Sequence, residues 1–168
     1  DNIGPQSLMP FVTNPAINFI IIALVISGGL GFTVWIELFE KLKNRKRQSL
    51  RIRINHLSLH TKIVLSVTVA LLISGTILFM LCEWNNPGTL GDLSAPEKVQ
   101  ASLFQSVTVR TVGFFSIDQS ALSDISKFFS SLLMLIGGSP VSTAGGIKTV
   151  TIGVIFFTML SVIRGRNR

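Results

Sequence analysis

The stretch from Phe128 to Ile163 holds one charge, Lys148, in 36 residues. Its centre reads Gly-Gly-Ser-Pro-Val-Ser-Thr-Ala-Gly-Gly-Ile-Lys over residues 137–148. A helical membrane span needs about 20 apolar residues, so two spans and a polar turn would need more than this run contains. One unbroken helix would reach roughly 54 Å at ~1.5 Å per residue. The run is therefore expected to be a single inner helix, over 123–163, interrupted at mid-membrane by a non-helical loop. Backbone without helical hydrogen bonds is tolerated at that depth only when buried in protein or lining a wet cavity. The interruption points to a transport pathway.

Two further apolar runs surround it in the same style. Ala16 to Ile36 is 21 residues without a charge, and Ile63 to Cys82 is 20. With a hydrophobic fraction of 48% and a charged fraction of 14%, the class is an all-α integral membrane protein. Lys41, Lys43, Arg45, Lys46, Arg47, Arg51, Arg53 and Lys62 lie between the first two runs, and Arg164, Arg166 and Arg168 follow the third. The remaining connection carries Glu83, Asp92, Glu97, Asp118 and Asp124. The positive-inside rule then places the start of the chain outside, residues 37–62 in the cytoplasm, residues 83–127 mostly outside and the C-terminus inside. Topology accounts for the +7 charge, so no nucleic-acid partner is expected, whereas a cytoplasmic protein docking on Lys43, Arg45, Lys46 and Arg47 is. On a helix His56 and His60 would share a face, but no carboxylate or thiolate joins them as a metal set would require. Cys82 is alone, which excludes an internal disulfide. The chain opens on a loop rather than on Met or a leader, and reads as a piece of a longer polypeptide.

Residues 85–127 have structure of their own. Ser94-Ala-Pro-Glu is a capping box, and Val99, Leu103, Phe104 and Val107 follow at helical spacing. A helix over 95–109 would reach roughly 20 Å, too short to cross a bilayer. Thr111-Val-Gly-Phe-Phe-Ser116, if extended, reaches roughly 20 Å back. A half-span helix going in and an extended strand coming out form a re-entrant pore loop. The negative end of its helix dipole faces the membrane interior and favours a cation. A faint repeat supports a helix, pore loop, helix unit: residues 2–8 resemble residues 116–122, and each precedes a span containing Gly-Gly. Residues 1–40 would end one unit, 41–57 would form a basic cytoplasmic linker, and 58–168 would form the next unit. Within that unit the outer helix is 58–84 and the pore helix with its strand 95–116. The three glycines at 28, 29 and 31 are read as close packing within the first span.

Thr111, Val112, Gly113 and Phe114 are similar to a potassium filter strand, whose backbone carbonyls replace the water around a monovalent cation. Residues 137–148 do not fit a nucleotide loop, because Ile147 separates Gly146 from Lys148 and no strand precedes them. Gly137, Gly138, Ser139, Ser142, Thr143, Ala144, Gly145 and Gly146 have little bulk, so the loop is either a movable barrier in a pore or a static kink. Arg110 and Lys148 are charges at membrane depth and hence functional candidates. Arg110 is expected to point behind the strand and support it. Lys148 either holds the loop closed or snorkels toward the cytoplasm. No Ser-His, His-carboxylate or metal-ligand set falls at membrane depth, so an enzyme is not expected.

The string from Ser106 to Phe115, followed by residues 136–148, resembles the Trk/Ktr/HKT superfamily of potassium transporters and looks most similar to bacterial KtrB-type membrane subunits. The resemblance covers the chain. It implies four helix, pore loop, helix repeats in one polypeptide, of which this sequence matches the end of the second and all of the third. It also implies K⁺ as the transported ion, a gating role for Gly137 to Lys148, a homodimer, and a cytosolic nucleotide-binding regulatory ring. One complete pore loop is present, whereas a pore needs about four around an axis. Either flanking repeats or several chains must supply the others, and the resemblance implies the former. A sodium-translocating relative and a non-transporting scaffold subunit remain alternatives.

Overall fold

The computed structural model describes residues 6–43, 57–110 and 112–165. Thr111, His56, Arg45, Lys46 and Arg47 lie outside the described residues. After a short 3-10 turn, Met9–Phe11, six helices follow among the described residues. They are α1 Pro15–Leu30, α2 Phe32–Lys43, α3 Leu59–Glu83, α4 Ala95–Thr108, α5 Asp124–Leu135 and α6 Thr149–Ile163. Among the described residues there is no strand, only an isolated bridge between Ile136 and Ile147.

Local chemistry sets most of the helix starts. Asn14 accepts from Ala16 N at 3.1 Å and Ile17 N at 3.3 Å, and Pro15 occupies the first helical position, where its missing N–H costs nothing. Ser58 Oγ accepts from Thr61 N at 3.2 Å, and Ser123 Oγ from Ser126 N at 3.3 Å. At α4, the Glu97 carboxylate reaches back to Ser94 N at 2.8 Å and Ser94 Oγ at 2.6 Å.

Two carboxylates fasten one helix to the start of another. Glu37 of α2 accepts from Ser58 N at 2.6 Å, Ser58 Oγ at 2.7 Å, Thr61 Oγ1 and Lys41 Nζ at 3.2 Å. Glu83 closes α3, is fully buried, and accepts from Ser123 N at 3.0 Å, Ser123 Oγ at 2.6 Å and Ser126 Oγ at the start of α5. Asn86 and Thr89 complete its shell at 2.7 and 2.8 Å. A carboxylate at a helix N-terminus gains from both the orphan N–H groups and the dipole.

The first apolar run departs from the expected single span. It breaks at Gly31, and α2 leaves α1 at 98°. Gly31 has φ of +81°, a left-handed value that ends a helix and that side chains resist. The glycine cluster therefore turns the chain as well as allowing close approach. Among the described residues, α3 is the one helix long and apolar enough to cross a membrane, or one of two spans if α1 and α2 count as a bent pair.

The core lies around α4, which is wedged between α1 and α3. Phe104 and Val107 pack with Ile22 of α1 and with Leu8. Ala101 packs with Leu90, Ile117 and Leu122, and Val109 with Phe79 of α3 and Leu133 of α5. Phe19, Ile20 and Leu24 of α1, Ile73 and Leu81 of α3, and Phe156 and Phe157 of α6 are exposed. Such outward faces suit surroundings of lipid or further helices better than water.

Candidate functional site

The pore-loop candidate is pinned from two sides. Beyond α4 the chain turns, with Val112 N donating to Thr108 O at 3.2 Å, and runs back without regular structure over residues 113–115. Thr108 Oγ1 donates to Phe114 O. Gln105 and Gln119 exchange a reciprocal amide pair at 2.8 and 2.9 Å, tying the returning segment to the buried face of α4. From the other side, Leu8 N donates to Phe115 O at 3.0 Å and Phe115 N to Ser7 Oγ at 3.3 Å. Ser7, Leu8, Gln105 and Gln119 were not legible as site residues. The faint repeat offered one hint, since Leu8 and its counterpart Leu122 are both buried. A glutamine pair 14 residues apart leaves no periodic trace.

Gly113 sits at the turn of this segment with φ of +87°. A Cβ built on it would meet nothing within 4 Å, so its freedom serves backbone conformation and open space rather than packing. It lines an open cavity of about 440 Å³ with Thr108, Val112, Phe114 and Gln119. Because the Phe114 carbonyl already accepts from Thr108, Val112 and Gly113 have the freer backbone on that side.

Arg110 stands where α4 gives way to the loop. It is buried, and among the described residues it makes no ion pair. With Val112 it lines a second open cavity, of about 300 Å³, whose other wall includes Gly28, Thr143 and Ala144. The base of the pore-loop candidate and the glycine loop thus share one space.

The glycine loop, residues 136–148, closes on itself at its base. Ile147 N donates to Leu135 O at 2.9 Å, Gly137 N to Ile147 O at 2.9 Å, and Thr149 N to Gly138 O at 3.0 Å. A Cβ on Gly137 would lie 1.4 Å from Gly145 O, so only glycine allows this closure. Gly146 has φ of +78°. Toward the tip, Ser142 N donates to Ser139 O at 3.2 Å, and Lys148 Nζ reaches Ala144 O at 2.8 Å. The outer face of the loop docks on the break between α1 and α2. Ser139 N donates to Gly29 O at 2.9 Å, and Phe32 N donates to Val141 O at 3.2 Å. Both are groups that the helix break leaves without an intrahelical partner. Val141 holds φ of +59°, costly for a β-branched residue, while its side chain is 69% exposed. Lys43, the described member of the basic linker set, is exposed at the end of α2.

Comparison with known proteins gives this arrangement a context. The family described as "TrkH: Cation transport protein" matches residues 2–168. Ktr system potassium uptake protein B of Bacillus subtilis is 41% identical over 166 residues, 99% of this chain and 35% of that protein. Potassium/sodium uptake protein NtpJ of Enterococcus hirae is 38% identical over 163 residues, 97% of this chain and 34% of that protein. Among solved structures, the potassium transporter TrkH from Vibrio parahaemolyticus superimposes with a TM-score of 0.68 at 17% identity, over 99% of this chain and 34% of that one. The chain thus spans about a third of the length of these relatives. The fold and the family follow: this all-helical chain belongs to the TrkH family of cation transport proteins.

Proposed function

We propose that this chain is one section of a potassium-uptake pore in the cell membrane, and that residues 111–114 form its quarter of the selectivity filter. The observation that carries the reading is Gly113. It has a left-handed φ, no neighbour within 4 Å of a Cβ, and a place on the wall of an open cavity at the end of a capped, half-span helix. That is what a backbone needs in order to turn carbonyls toward a dehydrated cation. Val112 and Gly113 carry more of this role than Phe114, whose carbonyl is engaged by Thr108. Relatives of this chain are named for uptake of potassium, or of potassium and sodium, which supports a monovalent cation as cargo and leaves K⁺ and Na⁺ as the two ions to compare.

The loop from Gly137 to Lys148 serves as the intramembrane gate below that filter, with Arg110 as the support between them. The chain enters from the outside and ends in the cytoplasm, as its basic flanks require. The remaining filter quarters come from further repeats of the same polypeptide. The assembled protein pairs as a homodimer, and its basic linker, with Lys43, Arg45, Lys46 and Arg47, docks a cytosolic regulatory ring.

The test is K⁺ and Na⁺ uptake by the full-length transporter in cells lacking other K⁺ systems. Gly113→Asp places a carboxylate in the open space beside the filter. It is expected to cut K⁺ uptake by at least tenfold or abolish the K⁺ over Na⁺ preference, with normal membrane expression. Unchanged uptake and preference would remove the filter assignment and favour a scaffold subunit.

A further inference from the structure

Beneath the pore-loop candidate is a small, mostly enclosed space. It measures about 20 Å³ and lies between α1, α3, the end of α4 and the glycine loop. Thr68, Arg110, Gly29, Gly138 and Ala144 line it, along with apolar side chains. Two buried polar atoms on its lining residues have no hydrogen-bond partner among the described residues, Arg110 Nε and Thr68 Oγ1. Both atoms are buried from solvent. Thr68 is 5% and Arg110 9% exposed.

We propose that this space is a site for one ordered water molecule, which joins Arg110 Nε to Thr68 Oγ1 and holds the guanidinium away from the ion path. The inference rests on the pore reading above and adds to it a ligand and a positioning residue, Thr68. A site about this large holds one water, and a buried water requires two to four polar partners. Arg110 Nε–H supplies a donor. The Thr68 hydroxyl supplies a donor or an acceptor. The carbonyls of Gly29, Gly138 or Ala144 each keep a lone pair for the remaining water hydrogen. Other occupants fit poorly. A cation is repelled by the guanidinium. An anion would sit against the negative end of the α4 dipole and among Val25, Ile26, Leu72 and Val107.

The consequence concerns the larger cavity next door. Arg110 lines both spaces, the small one and the open one it shares with Val112, Thr143 and Ala144. With Nε bound to water, the guanidinium is fixed behind the loop. Without that bond it turns to the wetter cavity, where its charge opposes an approaching K⁺.

The experiment uses the full-length transporter. A density map that resolves ordered waters should show one within hydrogen-bond reach of Arg110 Nε and Thr68 Oγ1, and none in Thr68→Val, which keeps the side-chain shape and removes the hydroxyl. In uptake assays Thr68→Val should raise the KM for K⁺ roughly fivefold, the effect of one unit charge brought to short range in wet surroundings. The maximal rate should change little. Thr68→Ser should restore the wild-type KM, and added choline chloride should shrink the defect by screening. A dry cavity in the wild type overturns the proposal, as does an anomalous bromide peak there. An unchanged KM in a folded Thr68→Val transporter overturns the positioning role. The water density is read independently of transport, so it can fail while Gly113 variants still abolish uptake, and the reverse.

Discussion

Among the described residues, two pairs of consecutive helices are separated by breaks of different kinds. The pair α1 and α2 is interrupted by one residue, Gly31, and turns through 98°. The pair α5 and α6 is interrupted by residues 136–148. A one-residue break frees few backbone groups, and two of them, Gly29 O and Phe32 N, are satisfied by the other break. The long break frees many groups and satisfies most of those at its base by pairing with itself. The short break therefore acts as a fixed seat and the long one as the part seated on it. The tip from Ser139 to Gly145 is held to the seat by two backbone bonds.

The largest effect should come from disturbing the base of the long break. Gly137→Ala places a Cβ 1.4 Å from Gly145 O, a clash with backbone that no side-chain rotation relieves. A loss of about 3 kcal/mol or more is expected, at or beyond the upper end for overpacking. Thermal unfolding in detergent should show it, along with poor recovery of folded protein. Gly145→Ala, across the same contact, points a methyl into open space and should behave like the wild type. Equal tolerance at the two positions would mean that the base is not a rigid closure, and the distinction between base and tip would collapse.

A smaller effect is expected at the seat. Gly31→Ala forces an alanine to φ of +81° and sets its Cβ 2.7 Å from Pro140 O. The left-handed conformation alone costs about 1–2 kcal/mol, and the contact pushes the loop tip off its seat. K⁺ flux should rise relative to protein amount, because the proposed barrier is undocked. Gly29→Ala is the control, since it meets nothing within 4 Å and keeps the carbonyl that binds Ser139 N. It should gain about 0.5–1 kcal/mol from the better helix residue with unchanged flux. If Gly31→Ala lowers stability but leaves flux alone, the short break is a packing feature and not a seat.

Parts of this arrangement are written in the sequence in a form that local rules can read. Ser94, Pro96 and Glu97 announce a helix start, and α4 begins there. The single charge among 36 residues forces an interruption, and residues 136–148 supply it. What escapes is contact between distant segments. Gly31 looks like Gly28 and Gly29 in a list of small residues. Only Pro140 and Val141, more than a hundred residues along, make it a corner. Glu37 and Glu83 read as charges at the ends of spans, and nothing local reveals that each binds the first turn of another helix. The reach of Lys148 is hidden from the sequence for the same reason, since its acceptor is a backbone carbonyl and carries no residue type.

That lysine gives the mildest test of the comparison. Lys148 Nζ donates to Ala144 O at 2.8 Å, so a charge at the foot of the long break grips its own tip. The short break has a neutral counterpart, Trp35 Nε1 of α2 donating to Ser27 O of α1 at 2.8 Å, and its other freed groups are bonded to the loop. A hydrogen bond to a charged donor contributes about 1.5–3 kcal/mol when buried, and this half-exposed one should contribute about 1 kcal/mol. Lys148→Met keeps the length and removes the donor. Backbone hydrogen exchange over residues 139–145 should then speed up by roughly fivefold, the rate factor for that energy, with K⁺ flux rising modestly. Lys148→Arg should retain most of the protection. If exchange at the tip is the same in Lys148→Met as in the wild type, the side chain is only reaching toward water. The seat at Gly31 would then be what holds the proposed gate shut, and the two breaks would differ in length but not in who restrains whom.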